Sequence, residues 1–178
     1  RIFMTELKIA ITPHRKALLV GHDNELDVLV RVKAPHPPSD LPKHQPLNLS
    51  LVIDRSGSMR GQPLDEAKRC ATMIVDSLAS EDLVSLVTYD NRITIDVASR
   101  KIGDRRGLHR AINAINSGGM TALYDGWYQG AGQASQGVDQ ASMSRVLLLS
   151  DGQANRGITD PLQIEQYCAS MAEVGVTT

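Results

Sequence analysis

The sequence predicts an α/β fold: a doubly wound, mostly parallel sheet with a short β segment in front of it. Three observations carry that prediction. Residues 49–53 and 145–149 are nearly continuous apolar runs, the pattern of strands buried on both faces of a parallel sheet. Between and after them lie segments with apolar residues at three- and four-residue steps, the helical period. Strands alternating with helices in this way pack as a parallel sheet covered by helices.

The elements follow in order. In residues 1–34, Leu26, Val28, Val30 and Val32 alternate with Asp27, Leu29, Arg31 and Lys33, the two-residue period of a half-buried strand. Residues 6–11 and 16–20 read as partner strands around a Thr12-Pro13-His14-Arg15 turn. Residues 35–46 read as a linker, because Pro35, Pro37, Pro38 and Pro42 exclude a helix interior or a central strand. Residues 47–178 form the main domain. Its first strand, 49–53, ends in Asp54-Arg55-Ser56-Gly57-Ser58. A helix over 63–79 follows, with Ala67, Cys70, Ala71, Ile74 and Leu78 on one face and Pro63 in its first turn. Strands at 83–89 and 92–97 flank an Asp90-Asn91 turn. A helix over 104–115 is broken by Ser117-Gly118-Gly119, and Thr121 opens a third that ends near Gly137. Strand 145–149 leads to Ser150-Asp151-Gly152. The last helix spans 160–174, with Asp160 as N-cap, Pro161 at its first position and Gly175 as its stop. Residues 174–178 read as the opening of a further strand, so the sequence is expected to be a piece of a longer protein that lacks the last elements of this domain.

Composition narrows the function classes. The chain has 178 residues, 42% hydrophobic and 22% charged, which is globular. Aromatics are only 3%, so the core must be aliphatic. A net charge of −1 argues against a nucleic-acid partner. No apolar run approaches the length of a membrane span, and the start lacks a signal-peptide core. Cys70 and Cys168 lack metal-ligand spacing and read as small core residues on helices, which slightly favours a reducing, cytoplasmic setting. His14, His22, His36 and His44 also lack ligand spacing and read as loop or surface residues. Tyr124, Trp127 and Tyr128 share one helix and read as core packing more than as partner contacts.

The chemistry lies where strands end. In doubly wound sheets ligands bind outside the carboxyl ends of the strands, where strand order reverses. With the order 3-2-1-4-5-6, strands 1 and 4 are neighbours at that reversal, so Asp54 and Asp151 are expected across one crevice. Asp54, Ser56 and Ser58 place three oxygen side chains at alternate positions of one tight loop, and Gly57 lets the backbone bend between them. Carboxylate and hydroxyl oxygens are hard ligands, suited to magnesium, manganese or calcium and not to zinc. Thr121, after Gly118-Gly119-Met120, offers a hydroxyl from another loop; taken alone it reads as a helix N-cap. Asp125 reads as a solvated helix position with a lesser prospect of reaching the site.

Together these motifs resemble the metal ion-dependent adhesion site (MIDAS) of von Willebrand factor type A (VWA) domains, a Rossmann-like fold. The resemblance covers residues 47–178. It implies that Asp54, Ser56, Ser58 and Thr121 surround a divalent cation, Mg2+ or else Mn2+ or Ca2+, and that Asp151 holds it directly or through water. It also implies that the β segment resembles a small β-sandwich that precedes the domain in bacterial members. A cation held by hydroxyls and few carboxylates stays electrophilic, so a glutamate or aspartate of a partner protein completes its shell. Arg55, inside the metal loop, is the candidate for shaping specificity, against a merely solvated reading.

Two other readings stand beside this one. A strand ending in Asp beside magnesium also describes phosphatases with an aspartyl nucleophile. Those need a carboxylate two residues on, where this chain has Ser56. No G-x-S-x-G elbow and no G-x-x-x-x-G-K-[ST] loop is present. The chain is therefore expected not to be an enzyme. A structural scaffold without a carboxylate partner is the other alternative.

Overall fold

The computed structural model describes residues 8–13, 20–21, 27–33, 46–136 and 142–178. The chain divides into two compact units, Arg1–Lys43 and His44–Thr178. The proline-rich segment, His14, His22, His36 and His44 lie outside the described residues.

In the first unit, β1 (Lys8–Pro13) pairs antiparallel with β2 (Val28–Lys33), Lys8 opposite Lys33 and Pro13 opposite Val28. The expected partner segment 16–20 lies largely outside the described residues. Thr12 and Pro13 belong to the strand, not to a turn. The β-branched run Val28, Val30, Val32 suits a strand, and a proline is tolerated at a strand end. All of β2 is exposed, as are Ile9 and Ile11, so the alternation marks a strand but not a half-buried one.

In the second unit, β3 (Leu47–Asp54) leads through a short 3-10 turn, Gly57–Met59, to α1 (Gln62–Ser77). Then come β4 (Leu83–Tyr89), β5 (Ile93–Lys101), α2 (Arg105–Asn113) and α3 (Leu123–Ser135). β6 (Met143–Leu149), α4 (Pro161–Glu173) and β7 (Val176–Thr177) complete it. The sheet order is β5-β4-β3-β6-β7, parallel except for β5 against β4. This is the 3-2-1-4-5 part of the expected order, with its reversal between β3 and β6.

The pleat of β3 explains the two layers. Leu49, Leu51 and Ile53 face one side and pack with Leu64, Ala71 and Val75 of α1 and Leu108 and Ile112 of α2. Val52 faces the other side, with Val87, Tyr89, Val146, and Trp127 and Ala131 of α3. Trp127 is buried, as expected, and its indole N–H donates to Thr178 Oγ1 at 2.9 Å; Tyr128 is exposed. Helix α3 approaches the sheet through glycines. A Cβ on Gly126 would lie 2.4 Å from the Tyr89 ring, and one on Gly130 2.2 Å from Val52 Cγ2. Cys70 and Cys168 are free and half-buried; Cys168 packs against the Val52 side of the core, as expected of a small helix residue.

Register places the site. Ile53 pairs with both Thr88 and Leu149, and Asp54 with Tyr89. Three strand ends therefore stop at one level. The next residues, Arg55, Asp90 and Ser150, open three loops side by side. No described helix is long and apolar enough to cross a membrane.

Candidate metal centre

Asp54 is wholly buried at the end of β3. Its Oδ1 accepts the Ser56 N–H at 2.8 Å, and its Oδ2 accepts the Ser150 hydroxyl at 2.8 Å. Ser56 is buried, and its Oγ stands 3.2 Å from Ser58 Oγ. The two serine hydroxyls thus meet, while Asp54 reaches the Ser56 backbone and the Ser150 hydroxyl.

The second loop is locked to the first. The Gly57 N–H donates to Gly119 O at 2.8 Å, and the Gly118 N–H to Arg55 O at 2.6 Å. The glycines there are dictated by space: a Cβ on Gly118 would lie 1.9 Å from Asp90 Oδ2. Thr121 is buried. It does not cap α3, which starts at Leu123 with Ala122 at the N-cap and no side-chain cap bond. Instead its backbone is held by Asn155. The Thr121 N–H donates to Asn155 Oδ1 at 2.9 Å, and Thr121 O accepts the Asn155 N–H at 3.3 Å.

The third loop carries Ser150 and Asp151. Asp151 is exposed, and its Oδ1 accepts the Gln153 N–H at 3.2 Å. Gly152, at φ +81°, makes the turn. Ser150 is the residue that reaches Asp54. Asp125 is exposed on α3, the solvated position that was expected.

Arg55 is less exposed than either expected reading of it required. Its side chain is only 25% exposed, and Nη2 lies 3.4 Å from Asp90 Oδ2. Asp90 Oδ1 also accepts the Arg92 N–H at 2.7 Å, and Oδ2 accepts the Gly119 N–H at 3.3 Å. Asp90 is thus a knot joining the metal loop, its own turn and the glycine loop. Asp90→Ala is expected to cost about 2–3 kcal/mol by leaving these donors unpaired, read as a lower urea midpoint at unchanged slope.

Three contributors were not assigned from sequence. Ser150 sat in a motif quoted for its aspartate, Asp90 looked like a hairpin turn, and Asn155 carried no signal. Tyr89 is a further polar group here, wholly buried like Asp54, whereas Ser150 is half-buried and Asn155 exposed. Among the described residues the Tyr89 hydroxyl makes no well-formed hydrogen bond, although the Ser150 hydroxyl and the Asp54 carboxylate lie close enough to act on it. Burial, reinforced by the nearby Asp54 and Asp151 carboxylates, holds its pKa above the usual phenol range.

The arrangement fits a cation. Asp54 is a buried carboxylate, and among the described residues no basic side chain pairs with it; the neighbouring Arg55 is turned to Asp90. A buried charge without a countercharge is costly, and a cation removes that cost. No group of three His, Cys, Asp or Glu side chains that could hold a metal clusters among the described residues.

Comparison with known proteins agrees. The model of the von Willebrand factor type A domain matches residues 48–178. Uncharacterized protein sll0103 of Synechocystis sp. is 33% identical over 136 residues, covering 76% of this chain and 31% of that protein. Uncharacterized protein YfbK of Escherichia coli is 31% identical over 131 residues, 73% of this chain and 23% of that one. The chain spans less than a third of the length of these curated relatives. Among solved structures, proximal thread matrix protein 1 from the mussel byssus, with a zinc-occupied MIDAS motif, superposes with a TM-score of 0.62 at 18% identity, covering 74% of this chain and 36% of that one. A von Willebrand factor type A protein from Catenulispora acidiphila has a TM-score of 0.62 at 16% identity, covering 99% and 40%. These two likenesses concern the fold. With the family model matched along most of its length, this chain belongs to the von Willebrand factor type A domain family.

Proposed function

We propose that residues 47–178 bind a divalent cation through Asp54, Ser56, Ser58 and Thr121, with Asp151 as a direct or water-mediated ligand, and that this cation captures an acidic side chain of a partner protein. The observation that carries this reading is the buried, uncompensated Asp54 carboxylate among hydroxyls. The cation would supply an electrophilic point for a carboxylate. The protein's own residues do the rest. Asp54 supplies the buried charge, Ser56 and Ser58 supply neutral donors that leave the cation's charge largely unquenched, and the Asp90 knot holds the loops in place beforehand. Asp151, exposed on the rim, stands where an incoming group arrives.

Magnesium, manganese and calcium suit these oxygens. A zinc ion occupies the site of the mussel protein, so zinc joins the test although the donors favour harder cations. Residues 1–34 are read as a separate β segment and 35–46 as its linker. We read the module as a binder and not an enzyme, since Ser56 stands where an aspartyl phosphatase needs its acid. Panning a random peptide library on the immobilised chain tests the reading. Retained peptides are expected to carry Asp or Glu, to elute with chelator, and to lose binding when that residue becomes Asn or Gln. Retention indifferent to chelator would contradict it.

A further inference from the structure

Thr121 contributes the one proposed ligand from the second loop, and it is held by a residue of the third. Asn155 grips both backbone groups of Thr121: its Oδ1 accepts the N–H at 2.9 Å, and its own N–H donates to the carbonyl at 3.3 Å. The next residue ties the same loop down again, as Arg156 Nη1 donates to Asn91 O at 3.3 Å. Thr121 is 1% exposed while Asn155 is exposed and their bond part-buried, so removal of the Asn155 amide takes away the side-chain hold on the Thr121 backbone. The loop from Ser150 to Gly157 turns at both ends on left-handed glycines, Gly152 at φ +81° and Gly157 at φ +74°. It therefore carries Ser150, which bonds to Asp54, and Asn155, which bonds to Thr121, in one short hoop.

We infer that Asn155 is a positioning residue that sets where Thr121 meets the cation, and that it thereby tunes which cation the site prefers. The inference rests on the metal reading above. Its physical basis is the difference between the two hard ions. Magnesium requires near-ideal octahedral geometry at about 2.0–2.1 Å, whereas calcium accepts ligands at about 2.3–2.6 Å in flexible shells. A ligand whose backbone is no longer fixed therefore costs magnesium more than calcium.

The test is titration of Mg2+ and Ca2+ separately into the chelator-stripped 178-residue chain, its Asn155→Ala variant and its Asn155→Asp variant, with melting of each metal-free protein alongside. Asn155→Ala is expected to raise the magnesium Kd about tenfold or more, and the calcium Kd clearly less. Asn155→Asp keeps the acceptor for the Thr121 N–H. Its added charge favours both ions alike, so the magnesium-to-calcium ratio should stay near that of the unmodified chain. If the unmodified chain binds both ions and Asn155→Ala moves both by the same factor, or neither, the positioning role is overturned while the metal reading stands. If the unmodified chain binds neither ion, the metal reading fails and this inference fails with it.

Discussion

Asp54→Asn is expected to abolish divalent-cation binding while the metal-free protein stays folded and melts no lower than the unmodified chain. The substitution keeps the shape and both hydrogen bonds. Asn Oδ1 still accepts the Ser56 N–H, and Nδ2 donates to a Ser150 hydroxyl that turns from donor to acceptor. Only the charge is removed. Loss of the buried anion that faces the cation should cost about 3–5 kcal/mol of metal affinity, roughly two to four orders of magnitude. The apo protein gains from the same change, because among the described residues no cationic side chain pairs with its buried carboxylate. Thermal melts with and without metal check this. A cation at about a hundred times its Kd should stabilise the unmodified chain by about 2.7 kcal/mol and leave Asp54→Asn unmoved. A variant that unfolds without metal would instead make Asp54 a purely structural residue.

Two alanine substitutions on α3 are expected to act in opposite directions. Gly132 is exposed and a Cβ there meets nothing within 4 Å, so Gly132→Ala should stabilise by about 1 kcal/mol through helix propensity. Gly126→Ala gains the same propensity but drives its Cβ to 2.4 Å from two carbons of the Tyr89 ring and 2.8 Å from Tyr89 Cβ. Tyr89 is wholly buried and anchored in β4, so it cannot swing aside. Overpacking of this kind costs about 1–3 kcal/mol or more, and three contacts this short put it at the upper end, so the net effect is a loss of about 2 kcal/mol. Denaturant unfolding of the pair checks both signs. The strain on β4 at Tyr89 passes to Asp54, its partner across the strand pair, so Gly126→Ala should weaken cation binding where Gly132→Ala does not.

Much of this was legible before any coordinates. The run at 49–53 announced a central strand because burial on both faces leaves no polar alternation. The run at 145–149 also forms a strand beside it, but one that alternates, with Arg145 and Leu147 exposed, so its apolar pattern overstated its burial. Asp160, Pro161 and Gly175 marked the ends of α4, because capping chemistry is local: Asp160 accepts the Leu162 N–H, and Gly175 is left-handed. What could not be read depends on distant partners. Arg55 looked exposed because nothing in Asp54-Arg55-Ser56 points to Asp90, which lies one strand away. Thr121 looked like a cap because its real partner, Asn155, is a loop residue 34 positions on. In the N-terminal unit, alternation identified β2 but neither its partner nor its exposure, since pairing and covering are set by the rest of the sheet.

The most direct measurement is calorimetric titration of magnesium, then manganese, calcium and zinc, into the chelator-stripped chain, with circular dichroism confirming that the protein is folded before metal is added. The account predicts saturable binding of a hard divalent cation at a single site, absent from Asp54→Asn. A folded protein that takes up none of the four cations, or that binds them as well after Asp54→Asn, would contradict it.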